Sequence, residues 1–280
     1  MQDIETLLNQ VCQQLQHVPG IAAVVLGGSR ATGTAGPQSD VDIGVYYRKD
    51  SLDLTALDIA ATALDQEHRG GLVAGPGGWG NWVDGGAWLT MDGLPVDLIL
   101  RDIDRVRKAV EDCTQGRVTA HYQPGHPHAF LNAMYMGELS VCRLLWDPTG
   151  HLAALQARTR PYPPKMKEAI LGAYLFEGGF SHMLAQKNIA NDDPYYVSAH
   201  VVRAVSALNQ ALFALNEMYC LNEKKAVRRI GTIPQRPAEY PAKVAAIFAT
   251  LGQDAEAACG LLGALVEEVR AMAASPSPAP

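Results

Sequence analysis

A strand that ends in small residues, followed closely by an acidic strand, constrains this chain more than any other feature in it. Ile21 to Leu26 is apolar throughout and runs into Gly27-Gly28-Ser29, with Arg30-Ala31-Thr32-Gly33 after it. Glycines at such a turn let a ligand approach the backbone closely, and outward N–H groups suit phosphate oxygens. Next comes Ser39-Asp40-Val41-Asp42-Ile43. Residues two apart on a strand share a face, so the Asp40 and Asp42 carboxylates lie roughly 6–7 Å apart along it while Val41 and Ile43 face the core. Like charges so placed repel unless a cation lies between them, and Mg²⁺ is the cation that prefers carboxylate oxygens together with a substrate phosphate. The alternative for the pair is a solvated strand end. A third carboxylate, Asp97, is the single charge in Leu94 to Leu100. A lone Asp in an apolar strand is costly unless it is paired, for which Arg101 is at hand, or bound to metal.

Two other phosphate motifs are excluded. Gly28 and Gly33 have P-loop spacing, but Thr34 stands where that motif needs Lys, and the G-x-G-x-x-G fingerprint is absent from this turn.

The surrounding pattern places these residues. Spacing predicts an amphipathic helix over 3–17, stopped by Pro19-Gly20, and strands over Ile21–Leu26 and Asp40–Tyr47. A helix starts near Arg30 and another covers 54–66. A Gly- and Trp-rich loop follows over 70–86. Strands Trp88–Thr90 and Leu94–Leu100 flank the turn at Met91-Asp92-Gly93, and a helix follows over Ile103–Asp112. After Pro161-Tyr162-Pro163-Pro164 the chain turns helical, over 165–187, 195–219 and 241–273. The expected class is α+β, a mixed α/β layer followed by a C-terminal helical bundle. The expected division is 1–150, 151–274 and a disordered tail over 275–280.

Composition narrows the functions. At 48% hydrophobic and 19% charged residues the chain can build a core, so wholesale disorder is excluded. No apolar run is long enough for a membrane span. Net charge is −6, with ten Lys/Arg against eighteen Asp/Glu in residues 1–155 and twelve against seven in 156–243. That balance argues against a protein built to grip long nucleic acid. The cysteines are five, widely spaced, and give neither a zinc pattern nor a disulfide framework. With acids rather than bases near Met1, the expected location is cytoplasmic.

The Gly28-Ser29 turn, the Ser-Asp-x-Asp run at 39–42 and the apolar–Asp–apolar strand at 96–98 together resemble the nucleotidyltransferase superfamily of DNA polymerase beta. The helical second half narrows the resemblance to small bacterial members, the aminoglycoside nucleotidyltransferases among them. Leu144 to Gly150 also looks like a stretch common after that core. The resemblance implies a polymerase-beta-like core with a mixed sheet, in which Gly28 and Ser29 hold the β- and γ-phosphates of a nucleoside triphosphate. Arg30 and Ser39 belong to the same nucleotide-binding turn, where Arg30 either touches phosphate or braces the turn. Asp40, Asp42 and Asp97 would hold two Mg²⁺ ions, with Asp97 also positioning or deprotonating the acceptor hydroxyl. Some antibiotic-modifying members take a base from a glutamate of the helical half. Glu177, an acid inside an apolar helical stretch, is the candidate, although no motif maps it. Some members build one site from two subunits, which leaves room for a homodimer.

The function implied is transfer of a nucleoside monophosphate, AMP from ATP by default, to a hydroxyl of a small molecule such as an aminoglycoside antibiotic. The rivals are a protein- or RNA-modifying transferase of toxin–antitoxin type and a catalytically silent nucleotide-binding regulator. Other features keep two readings each. Trp79, Trp82 and Trp88 form either a stacking platform or packing under a loop. His121, His126 and His128 read as a polar loop before a metal site. Lys224, Lys225, Arg228 and Arg229 would either neutralise a triphosphate or form a solvated helix end.

Overall fold

The computed structural model of the chain describes residues 3–274; the tail expected over 275–280 lies outside them. The chain forms two compact units. One takes in the residues up to Asp112 with Thr119–Gly125 and Phe130–Pro161, and the other Cys113–Val118, His126–Ala129 and the chain from Tyr162 onward.

In the first unit, helix α1 (Ile4–Leu15) presents Leu7, Leu8, Val11 and Leu15 to the core at helical spacing. Strand β1 (Ile21–Leu26) is buried at every position and ends at the four-residue helix α2 (Gly28–Ala31). Strand β2 (Val41–Tyr47) and helix α3 (Leu54–Leu64) follow. The Asp53 carboxylate starts α3 by accepting the Ala56 N–H at 2.9 Å. Strands β3 (Gly86–Met91) and β4 (Leu94–Asp102) pair around Asp92-Gly93, and α4 (Ile103–Thr114) leaves the sheet. A small ribbon, β5 (Ala120–His121) with β6 (Phe130–Leu131), precedes α5 (Ala133–Val141), β7 (Arg143–Trp146) and α6 (His151–Ala157).

The main sheet has the order β3-β4-β2-β1-β7. It is mixed, since β2 and β4 run parallel while β1–β2, β1–β7 and β3–β4 are antiparallel. One face is closed by apolar side chains from α1, α3 and the strands, including Val11, Leu57, Ile43 and Val96. The other carries the half-exposed residues that alternate with them. The expected α+β class with a mixed sheet and helical C-terminal half is what the chain adopts.

The second unit is helical: α7 (Pro164–Asn188), a 3-10 turn, α8 (Pro194–Leu215), α9 (Ala226–Ile230), α10 (Tyr240–Leu251) and α11 (Ala255–Ala274). Both long helices start with proline, whose missing N–H costs nothing in a first turn. The single helix expected over 241–273 is two. Gly252 ends α10, and the Asp254 carboxylate accepts the Ala257 N–H at 2.8 Å to begin α11. Among the described residues no helix is long and apolar enough to cross a membrane.

Candidate active site

The site begins with register. On the parallel ladder Asp42 lies directly opposite Asp97, and in-register neighbours present their side chains on one face. Val41 and Ile43 on one strand, and Val96 and Leu98 on the other, are buried on the opposite face, which turns both carboxylates outward. Asp40 was expected to open β2 but sits one residue before it, where the chain is exposed. The strand's alternation still carries it to the same side. Carboxylate oxygens of Asp40, Asp42 and Asp97 all come within 4.8 Å of one another. Burial raises the pKa of Asp97 above the ordinary Asp range, and the nearby Asp40 charge raises it further. Three crowded carboxylates with such a signature fit a divalent cation, because hard oxygen donors that repel one another are what Mg²⁺ neutralises.

The Gly-Ser turn lies against this cluster. The Gly27 N–H donates to the Asp42 carbonyl at 2.8 Å, tying the end of β1 to β2. Gly28 has φ +58°, and a Cβ there would collide with the Asp42 carboxylate. Two demands thus meet at one position, a left-handed backbone and room for a carboxylate. As first residues of a helix, Gly28, Ser29 and Arg30 leave their N–H groups without intrahelical acceptors.

Arg30 finds bracing partners within the turn. Its guanidinium donates to the carbonyls of Ser39 at 2.6 Å and Asp40 at 3.1 Å. Ser39 serves the same loop, its hydroxyl accepting the Gly36 N–H at 2.9 Å. These bonds hold the Asp40 backbone against the helix that carries Ser29. Arg101 does not pair with Asp97. It is buried and makes a two-pronged ion pair with Glu138 of α5, at 2.7 and 2.8 Å. Arg101 is therefore not the counter-charge of Asp97, which stands half-exposed on its strand.

Glu177 lies on α7 in the helical unit and is ion-paired with Arg203 of α8. His128 donates its backbone N–H to Glu223 at 3.0 Å, whereas His121 lies in β5 rather than in a loop and stacks on Trp82. Among the basic residues Lys224, Lys225 and Arg228 are exposed, while Arg229 lies 5.5 Å from the Phe213 ring centre.

The tryptophans divide. Trp82 packs against Phe130 and Tyr135. Trp79 and Trp88 instead stack on each other, their ring centres 4.6 Å apart and planes 16° from parallel. Trp88 is directly opposite Asp97 on the β3–β4 ladder, so Asp97 is flanked by Asp42 on one side and Trp88 on the other. Sequence alone did not join Trp88 to Asp97; the short hairpin linking them is the signal that could have, once its register was counted from the Asp92-Gly93 turn.

Residues 4–117 match the family model described as nucleotidyltransferase domain. No curated protein matches the chain. Among solved structures, a nucleotidyltransferase-like protein from Exiguobacterium sibiricum is similar over 97% of this chain and 74% of that one, at 10% identity and a TM-score of 0.46. The acidic cluster falls inside the matched stretch, so the part of the chain that is similar to a nucleotidyltransferase domain holds all three carboxylates, and the chain is a transferase enzyme.

Proposed function

We propose that this chain moves a nucleoside monophosphate, AMP from ATP, to a hydroxyl of a small molecule and releases pyrophosphate. The observation that carries the reading is the convergence of Asp40, Asp42 and Asp97 within 4.8 Å beside the Gly28-Ser29 turn. Residues 1–150 are the nucleotide-binding part in this proposal.

Two Mg²⁺ ions held by Asp40, Asp42 and Asp97 would supply charge neutralisation at the attacking and leaving oxygens. The chain's own residues do the rest. Backbone N–H groups at Gly28 and Ser29 bind the β- and γ-phosphates and so fix the leaving group. Arg30 keeps that turn and Asp40 in one arrangement through its bonds to the Ser39 and Asp40 carbonyls. Asp97 orients the acceptor hydroxyl for in-line approach to the α-phosphorus. A new bond forms from the acceptor oxygen to phosphorus, the bond to the bridging oxygen breaks, and the hydroxyl proton leaves by way of Asp97. Positioning of this kind supplies most of the rate in phosphoryl transfer. The acidic excess in the first half of the chain favours a cationic acceptor, with an aminoglycoside-like molecule first in line.

The test is pyrophosphate release with Mg²⁺, each of the four nucleoside triphosphates, and a pooled panel of aminoglycosides and other polyols. Release should depend on one acceptor pool and fall at least ~1000-fold in Asp40→Asn/Asp42→Asn, since losing about 4 kcal/mol of transition-state stabilisation costs that much. Labelling of a protein or tRNA in place of every small molecule would overturn the acceptor class. Nucleotide binding with no release for any acceptor would overturn the transferase reading.

A further inference from the structure

We propose that the Trp79–Trp88 pair is the seat of the acceptor, and that it receives the flat apolar face of a saturated, polyhydroxylated ring bearing an ammonium group. The inference rests on the transferase reading above and names the acceptor's subsite.

Position gives the first argument. Across the sheet the order of features is the Gly-Ser turn at the end of β1, Asp42 on β2, Asp97 on β4 and Trp88 on β3. An in-line displacement sets the acceptor opposite the departing pyrophosphate. With pyrophosphate at the turn, the acceptor's side of the site is the β4–β3 side, where Trp88 stands.

Construction gives the second. Trp88 is 64% exposed although it is a large aromatic on a central part of its strand. Its ring is backed by Trp79, which lies over Gly86, where a Cβ would come within 2.9 Å of the Trp79 ring. Trp79 is held in turn. Its carbonyl accepts the Gln123 side-chain N–H at 2.7 Å, while the Gln123 oxygen accepts the N–H groups of Trp82 and Val83 at 2.8 and 3.1 Å. The Tyr135 hydroxyl donates to the Trp82 carbonyl at 2.6 Å. The pair is therefore a fixed plane with one open surface.

Dimension and charge identify the occupant. Directly opposed side chains on an antiparallel pair have their Cβ atoms about 5 Å apart, within the span of one six-membered ring. A hydroxyl at Asp97 and an apolar face on Trp88 then belong to a single ring, which describes a sugar or cyclitol. An amine on the ring gains from the indole face and from the acidic excess of the first half of the chain.

The experiment uses methyl β-glucosaminide as probe, with the intact chain, Mg²⁺ and a non-hydrolysable ATP analogue. Saturation-transfer NMR should show the axial H1, H3 and H5 protons of one ring face receiving most saturation. Trp88→Ala should weaken probe binding about 10-fold, as loss of one aromatic stacking plane does, whereas Trp88→Phe should keep it within about 3-fold. Analogue binding, followed by calorimetry, should be the same in all three proteins. Probe binding that is equal in native and Trp88→Ala protein overturns the proposal. So does loss of analogue binding in Trp88→Ala, which would make the platform the seat of the donor's base. Probe binding on Trp88 in a chain that binds no analogue would support the platform and sink the transferase reading separately.

Discussion

Asp97 shows how a single residue divides its value between folding and chemistry. Burial and the Asp40 charge both raise its pKa, so the folded chain holds this carboxyl less readily as an anion than the unfolded chain does. The sign follows from linkage. A carboxyl with a raised folded pKa costs no stability below the ordinary Asp range, and its cost grows as pH rises through that range and is fully present above the folded value. Asp97→Asn should therefore stabilise the metal-free chain at pH 7, by no more than about 1 kcal/mol because solvent screens a half-exposed carboxylate. Thermal unfolding in EDTA measures this; a lower midpoint in the variant would refute it. The same variant should lose the midpoint increase that Mg²⁺ gives the native chain. Gly28 is a second residue whose two duties were only half visible. Its place in a turn could be read from the sequence, but the approach of the Asp42 carboxylate could not, because that contact depends on how β1 and β2 pair.

Elements were legible where their periodicity was strong. Helix α1 and strand β1 carry clear patterns, and the structure places them at Ile4–Leu15 and Ile21–Leu26. Helix α5 had no such signal. Six of its nine residues are buried, so no polar face alternates with an apolar one and the 3.6-residue rhythm disappears. Yet α5 supplies Glu138, the partner that removes Arg101 from contention for Asp97. Sequence proximity favoured Arg101 with Asp97, whereas a strand sends residues four apart to the same face but too far along it to bond easily. Because Arg101 is buried, Glu138→Gln leaves a guanidinium without its counter-charge and should cost about 3–5 kcal/mol. Urea unfolding should show the midpoint falling at unchanged slope. A loss under about 1 kcal/mol would mean that solvent, not Glu138, neutralises the arginine.

At the scale of the whole molecule, a mixed sheet followed by a helical bundle was expected, and the interleaving of the chain was not. Residues 113–118 and 126–129 group with the helical unit although both neighbours in sequence group with the sheet. No local pattern encodes such crossings, which are decided by what each short segment packs against. The cysteines sample both units. Cys113, Cys142, Cys220 and Cys259 are buried, and burial pushes the thiols of Cys142 and Cys220 up to about 12. Thiol labelling at pH 8 should accordingly be at least ~100-fold slower in the native chain than in urea, since the thiolate is the reactive form. Fast labelling at these positions would show that their unit opens readily. The Asp42–Asp97 register has one more consequence, for which length changes this gene can carry. A residue inserted in β4 ahead of Asp97 reverses the strand's faces, burying the carboxylate and exposing the core, so folding itself rejects it. Two inserted residues restore the faces and pass that check, but carry Asp97 about 6.6 Å along the strand, beyond reach of its partners. Lineages can thus shed the chemistry while keeping the fold through an even-numbered insertion, a route closed to odd-numbered ones.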